Sequence, residues 1–442
     1  MGEGARGARG LVRVLSADWV VPVEGPPIED GAVAIGEDGR IAAVGASAEL
    51  GEGERFPESV ILPGFVNAHT HLEYAVYAGF GDGLPFGPWI ALHVERKGRI
   101  DYDEMEAIAR LGALECLRSG ITTVGDCSFS GAAATACADL GLGAIVYLEV
   151  FGTDRSALTE RFDRIRVRVA DAFSEEVRLG ISPHAPYTCT LALYEACAEL
   201  GLPLATHLAE SEAETEFLRT GTGTWQEFAE LLVPPLGTSG IRALGGAGLL
   251  GPHVLAVHCV QADDEEIGLL AAYDVAVAHC PRSNGYLGCG TAPLAALREA
   301  GVRVCIATDS PASTPSFDMF EEMRAAIVGA RARERRPDAL TARDALELAT
   351  LGGARALGLA DEIGSIAAGK RADLTVLSLS ESPLVPWEDP VTAAVLGGSP
   401  ERVVATLVFG EPRYEKGGNT WLELIDAARS ARDRLLQRAV RT

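Results

Sequence analysis

Residues 66–71 read VNAHTH, and the rhythm of the chain changes at this point. Before it, short alternating apolar segments at 11–15, 19–23, 32–35 and 41–44 are punctuated by Gly, Pro and Asp, the pattern of small antiparallel strands. From Val66 onward, brief β-branched or small apolar runs alternate with helix-like stretches of ten to twenty residues. Eight of these runs read as strands: 66–71, 121–126, 144–150, 177–184, 203–207, 254–259, 275–279 and 302–309. Two of the intervening segments have clear helix ends, one from near Asp101 to Gly120 and one from near Ser130 to Gly141. Strands alternating with helices imply right-handed crossovers and a parallel sheet. Eight such units predict an α/β chain folded as a closed (β/α)8 TIM barrel, with a doubly wound open sheet as the rival.

After a helical stretch at 341–357, a strand at 374–379 and a hairpin-like pair at 403–408, turning at Gly410, return to the style of the N-terminus. The expectation is a small β-sandwich domain built from both chain termini, 1–62 and 365–442, beside the barrel at 63–364. The segment from Trp421 reads as an amphipathic helix that should pack on that small domain.

The 442 residues carry 62 acidic and 38 basic side chains, a formal net charge of -24. That balance argues against a nucleic-acid or anionic-membrane partner, since both need clustered Lys and Arg to neutralise phosphate. The apolar runs are broken by Gly, Pro or charge well before the roughly 18 residues of a spanning helix. The opening MGEGARGARG lacks the apolar stretch of a signal peptide, so a cytoplasmic location is expected. Nine Cys with no C-x-x-C pair read as reduced packing residues. Only three Lys occur, at 97, 370 and 416.

Six of the eight His fall at or just after the ends of predicted strands: His69, His71, His184, His207, His258 and His279. In a barrel that rim is where side chains from successive strands converge. His69 and His71, two apart on a strand, share its inward face. With His207 and Asp309 at other strand ends they offer three nitrogen ligands and one oxygen, a set suited to Zn or Fe(II). A bridged two-metal site needs a carboxylate or a carbamylated Lys from a middle strand. None of the three Lys falls on a predicted barrel strand, and the fourth strand, VRLGISPH, offers neither Lys nor Glu. One divalent ion is therefore expected. Glu210, three residues after His207, either carries its carboxylate over the site or is an acid stabilised at a helix N-terminus. His258 either hydrogen-bonds the attacking water and the developing oxyanion or is a core histidine. No phosphate loop, H-E-x-x-H or G-x-S-x-G elbow is present.

The segments ILPGFVNAHTHLE, ISPHAPYTC, THLAESEAETEFL, AVHCVQADDEE, AHCPRSNGYLGCGTAPL, ATDSPASTPSFDMFEEMR and GSIAAGKRADLTVL together resemble the amidohydrolase superfamily. They are most similar to its mononuclear deaminase and chlorohydrolase branch, which includes S-adenosylhomocysteine, methylthioadenosine and aminodeoxyfutalosine deaminases. The resemblance implies that His69, His71, His207 and Asp309 ligate the metal. It implies that Glu210 shuttles protons, that His258 and Asp309 aim the nucleophilic water, and that His184 reaches the substrate. His279 and Asn284 lie in the matching seventh-strand segment, where loop shaping and substrate contact are both open. Two positions depart from the pattern. Glu149, in YLEVFG, stands where such enzymes carry an arginine after the third strand. Their glutamate beyond the tryptophan near Trp89 aligns close to Gly98, with Glu95 nearby. Arg96, Arg155 and Arg282 are candidate replacements for the lost positive partner.

The substrate contacts expected on this basis are His184, Trp89, Glu95, Glu149 and Asn284. The implied activity is metal-dependent hydrolytic deamination of a 6-aminopurine nucleoside, a small-molecule substrate: aminodeoxyfutalosine, S-adenosylhomocysteine, methylthioadenosine or adenosine. The alternatives are a triazine-type chlorohydrolase or aminohydrolase and a catalytically inactive scaffold relative. The resemblance is also compatible with a homo-oligomer.

Overall fold

The computed structural model describes residues 11–440 apart from 52, 381, 419 and 420, so the opening MGEGARGARG segment lies outside the described residues. Eight parallel strands follow one another in strict chain order: β1 (Phe65–Thr70), β2 (Ile121–Ser128), β3 (Gly143–Val150), β4 (Val177–Pro183), β5 (Leu204–Leu208), β6 (Val254–His258), β7 (Ala276–His279) and β8 (Arg303–Ile306). The ring closes between its first and last members. Thr70 bridges Asp309, the Asp309 amide donates to the His69 carbonyl at 3.1 Å, and the Thr308 amide donates to Asn67 Oδ1 at 2.9 Å. The TIM barrel read from the alternation is therefore present, and the open-sheet rival is not.

Small side chains make this closure fit. Ala205, Ala276, Ala278 and Cys305 fill the barrel interior together with Val66, Ile145, Tyr147, Leu255 and Val257. Its lower mouth is plugged by Ala354, Leu357 and Ile363 from the chain that follows β8. Ile121 and Val124, among others, join the larger apolar layer between strands and outer helices. The helix Tyr102–Arg118 begins where expected, with Asp101 and Glu104 forming a reciprocal capping box. The next, Ala132–Leu140, ends on the left-handed Gly141.

The chain termini unite in one mixed sheet. Its order is Glu411–Glu415, Val403–Val408, Leu374–Ser378, Glu54–Pro63, Leu11–Val20, Gly31–Gly36 and Ile41–Ala46, with Ile28–Glu29 added to Leu11–Val20. Pairing is antiparallel except between Leu11–Val20 and Glu54–Pro63, which run parallel. Glu54–Pro63 also feeds almost directly into β1, so the small domain is tied to the base of the barrel. Thr375 Oγ1 donates to the Gly120 carbonyl at 2.7 Å, and Thr406 Oγ1 to that of Leu117 at 2.8 Å.

The terminal helix, Leu422–Val440, does not pack where the sequence suggested. Instead of the small domain it covers the barrel helix Tyr102–Arg118, with Ala428, Ala431 and Leu435 against Ile108, Val76 and Tyr77. Electrostatics give the reason. Glu104 is almost fully buried on that barrel helix and is met there by the guanidinium groups of Arg434 and Arg438. No described helix is long and apolar enough to cross a membrane.

Candidate active site

The side chains that converge at the C-terminal mouth come from six different strand ends. His69 and His71 leave β1, Glu149 leaves β3, His184 follows β4, His207 and Glu210 leave β5, His258 ends β6, and Asp309 follows β8. The backbone is bent to present them. His258 and Asp309 have φ of 75° and 59°, and Ala209, between His207 and Glu210, has 52°. An L-residue held in this left-handed region costs about 1 kcal/mol, so three such residues at one rim mark a place where geometry is kept at the expense of backbone comfort.

The histidine tautomers follow from their partners. His71 Nδ1 faces the Cys127 carbonyl at 2.8 Å and His207 Nδ1 faces the His184 carbonyl at 2.9 Å. A carbonyl only accepts, so both Nδ1 atoms carry the proton and both Nε2 atoms are bare. Those two bare nitrogens stand 3.3 Å apart. His69 Nε2, fully buried and without a hydrogen-bond partner, lies 3.6 Å from Asp309 Oδ1, which is itself 3.7 Å from His71 Nε2. Converging lone pairs with no proton between them repel unless a cation sits among them, and a tetrahedral N3O donor set is what zinc takes. Protonation does not relieve the crowding. Burial holds all three imidazoles below their ordinary values, His69 down to about 3. Burial pushes Asp309 the other way, but His69 and His71 outweigh it and hold the carboxyl well below the usual range. Ser283 and Ser313 donate to its Oδ2 at 2.6 and 2.9 Å, leaving Oδ1 to the histidines.

Glu210 sits across from this cluster, its carboxylate 3.6 Å from His258 Nε2 and only 3% exposed. Burial, with Asp309 and Glu214 adding to it, drives its carboxyl well above the ordinary value, which favours the protonated form. His258 Nδ1 donates to Asn284 Oδ1 at 3.0 Å, which leaves His258 Nε2 free to accept. Glu214 was not singled out from the sequence, yet it builds the Glu210 loop. Its carboxylate accepts from the backbone amides of Ala209 at 2.9 Å, Glu210 at 2.6 Å and Ser211 at 3.4 Å, and it closes a capping box with Ser211. The signal for it was present in S-E-A-E, a capping-box spacing directly after the His-x-x-Glu pair.

Glu214 carries a pH signature. Burial raises its carboxyl to about 7 in the folded protein although the three amides oppose the rise. The folded state therefore binds the proton more tightly than the unfolded chain. Stability contributed by this group is intact below about pH 4.5 and is lost as pH climbs to about 7. Glu214→Gln removes that slope. The difference in melting temperature between wild type and variant should drift against the wild type from pH 4.5 to 7 and then level off. A difference that stays constant across this window would refute the assignment.

The cavity above the site has a volume of about 460 Å³ and is mostly apolar. Its aromatic walls are Tyr74, Phe86, Trp89, Phe129, Phe151, Tyr187 and Trp225, and polar groups enter at His184, Glu149 and Lys97 besides the metal-side residues. Of the expected substrate contacts, Trp89, His184 and Glu149 line this cavity. Glu95 does not: it lies on the exposed side of the helix Phe86–Lys97, paired with Arg99. Asn284 is buried behind His258 rather than in the wall, and His279 is buried with Nδ1 unpartnered. None of the candidate replacement cations faces the cavity. Arg155 pairs with Glu199 in solvent, Arg282 is held by Glu321 and Glu322, and Arg96 covers Phe80. Lys97 is the cation that does enter.

The Amidohydrolase family model matches residues 60–418. A 5'-deoxyadenosine deaminase of Methanothermobacter thermautotrophicus is 34% identical over 396 residues, covering 85% of this chain and 89% of that protein. A 5-methylthioadenosine/S-adenosylhomocysteine deaminase of Moorella thermoacetica is 34% identical over 413 residues, covering 90% and 93%. Among solved structures, an adenosine deaminase from Xanthomonas campestris with bound zinc superposes with a TM-score of 0.85 at 30% identity, covering 96% of this chain and 98% of that one.

Proposed function

This chain belongs to the amidohydrolase family, and from that premise we propose that it is a metal-dependent hydrolytic deaminase of a 6-aminopurine nucleoside. The observation that carries the reading is the pair of bare Nε2 atoms of His71 and His207, 3.3 Å apart, in a donor set completed by His69 and Asp309 and faced by the buried carboxyl of Glu210. The relatives named as deaminases of adenosine derivatives, and the bound zinc of the Xanthomonas protein, support the same choice of chemistry and of metal.

In this reading His69, His71, His207 and Asp309 hold one zinc ion. When bound, the ion supplies the Lewis acidity that makes water a nucleophile near neutral pH. The protein's own groups do the rest. His258 Nε2, bare because Nδ1 is committed to Asn284, accepts a hydrogen bond from the attacking water and fixes its line of approach. Glu210 hands its proton to the ring nitrogen beside the carbon under attack, which raises that carbon's electrophilicity. It then takes a proton from the added oxygen and delivers it to the departing amine, and the oxygen's second proton returns to Glu210 as the 6-oxo group forms. One C–O bond forms, one C–N bond breaks, and the products are a 6-oxopurine nucleoside and ammonia. His184, fixed through Nδ1 to Thr188 Oγ1 at 2.9 Å and tilted at 33° against Phe151 with ring centres 5.0 Å apart, presents its ring to the heterocycle. The aromatic walls exclude water from the reacting edge and bind its flat faces.

An ammonia-release panel on zinc-loaded protein tests the proposal: adenosine, 5'-deoxyadenosine, methylthioadenosine, S-adenosylhomocysteine, guanine and an s-triazine. Dominant turnover of one adenosine derivative is expected. Dominant turnover of the triazine, with none of any nucleoside, would overturn it.

A further inference from the structure

Where β1 carries the metal-side histidines, regular strand pairing gives out. Asn67 stands opposite Val124 and Thr70 opposite Asp126, so three steps along β1 match two along β2, and His69 lies in the irregular stretch. β1 ends at Thr70, and His71 and Leu72 follow it outside the ladder. Backbone amides at such a buried rim need acceptors other than a neighbouring strand.

Two buried carboxylates take that place. Asp126, on β2, accepts from the Leu72 amide through Oδ2 at 2.7 Å. Glu73, in the turn Leu72–Tyr74, reaches the other way. It accepts from the Ser128 and Ser130 hydroxyls at 2.5 and 2.8 Å and from the Phe129 and Ser130 amides at 3.0 and 3.1 Å. Each segment thus lends a carboxylate to the backbone of the other. Between the two anchor points on β2 lies Cys127. Its carbonyl accepts from His71 Nδ1 at 2.8 Å, and its thiol lies 3.7 Å from His69 Nδ1. The residue that touches both β1 histidines is therefore held on each side.

Asp126 is fully buried, and strand alternation turns it, like Val124, toward the apolar layer under the outer helices. Its Oδ1 is buried without a hydrogen-bond partner among the described residues. An acid with one oxygen unsatisfied in such a layer costs stability; what it fixes is the position of one amide, directly after His71.

We propose that Asp126, together with the reciprocal contact of Glu73, is a positioning residue of the metal centre: through the Leu72 amide it holds His71 with Nε2 turned to His207 and Asp309 before any ion arrives. The inference rests on the single-metal reading above and adds that the site is organised in advance by the neighbouring strand.

Two variants test it. Asp126→Val is close in shape and accepts nothing. Asp126→Asn keeps an oxygen for the Leu72 amide, and its NH2 replaces the oxygen that has no partner to lose. Zinc affinity is read by competition with a chromophoric chelator, with no substrate present. Asp126→Val should bind zinc about 10- to 100-fold more weakly than wild type, and Asp126→Asn within about threefold of it. At saturating zinc, Asp126→Val should also lose kcat with KM little changed, because Asp126 lies behind the ligand and outside the cavity wall. A merely structural role lowers the melting temperature of the stripped protein and leaves the zinc affinity of the folded chain where it was; that result, or an Asn variant as weak as the Val variant, overturns the proposal. Should Asp126→Val not fold, site-resolved hydrogen exchange on stripped wild type decides. The Leu72 amide should be as protected as in the zinc-loaded protein, whereas protection that appears only with zinc would show that the ion holds this segment and would overturn the proposal. A wild type that binds no zinc sinks the metal centre itself; zinc bound equally by wild type and Asp126→Val sinks only this inference.

Discussion

Glu210→Gln is expected to lower kcat by about 10³-fold while KM stays within a few-fold of wild type. The amide has the shape of the acid and can still hydrogen-bond to the ring nitrogen, so binding survives. What it lacks is a transferable proton, and the proposed cycle needs two transfers through this group, one to the ring and one from the added oxygen to the leaving amine. Burial and the neighbouring Asp309 raise the Glu210 carboxyl well above its ordinary value, which favours a group loaded with its proton before substrate arrives. Glu214 holds the loop through backbone amides rather than through the Glu210 side chain, which means that the substitution leaves the loop in place. Steady-state rates with a bound-metal assay are the check. A variant with one zinc per chain and undiminished kcat would show that Glu210 is not the proton carrier.

The second large effect comes from the metal. Protein stripped by a chelator should lose more than 99% of its activity and recover it on addition of one equivalent of zinc per chain, because a Lewis-acid centre of this kind carries several kcal/mol of the rate acceleration. Stability should fall with it, since an ion that binds only the folded state stabilises that state by mass action. The structure adds a specific reason: without a cation the bare nitrogens of His71 and His207 face each other across 3.3 Å. His207→Ala relieves that repulsion but removes a ligand. It should melt no lower than the stripped wild type and should not regain activity with stoichiometric zinc. Two zinc ions per chain at full activity would contradict the single centre.

The barrel was legible because its strands are buried on both faces and therefore stand out as short apolar runs between helical stretches. The metal cluster was legible because strand ends are few and histidines rarer still, so His69, His71, His207 and Asp309 could be placed on one rim without knowing any distance. Lys97 was passed over because it lies on no strand. A helical reading of 86–97 would have found it: Trp89, His93 and Lys97 are spaced by four and share the face that turns to the cavity, whereas Glu95 falls on the other side and meets Arg99. The docking of the terminal helix was beyond reach for a different reason. Its amphipathic pattern says that one face is buried but not against what, and the deciding partner, Glu104, reads in sequence as an ordinary first-turn acid. Glu214 shows the same limit at smaller scale, since its carboxylate acts on backbone amides that every residue possesses.

The central claim, that water displaces the amine at the ring carbon, is tested most directly by turnover of the preferred nucleoside in ¹⁸O-enriched water. The account predicts one solvent oxygen in each 6-oxopurine product and one ammonia released for each. Product formed without the solvent label, or without ammonia, would contradict it.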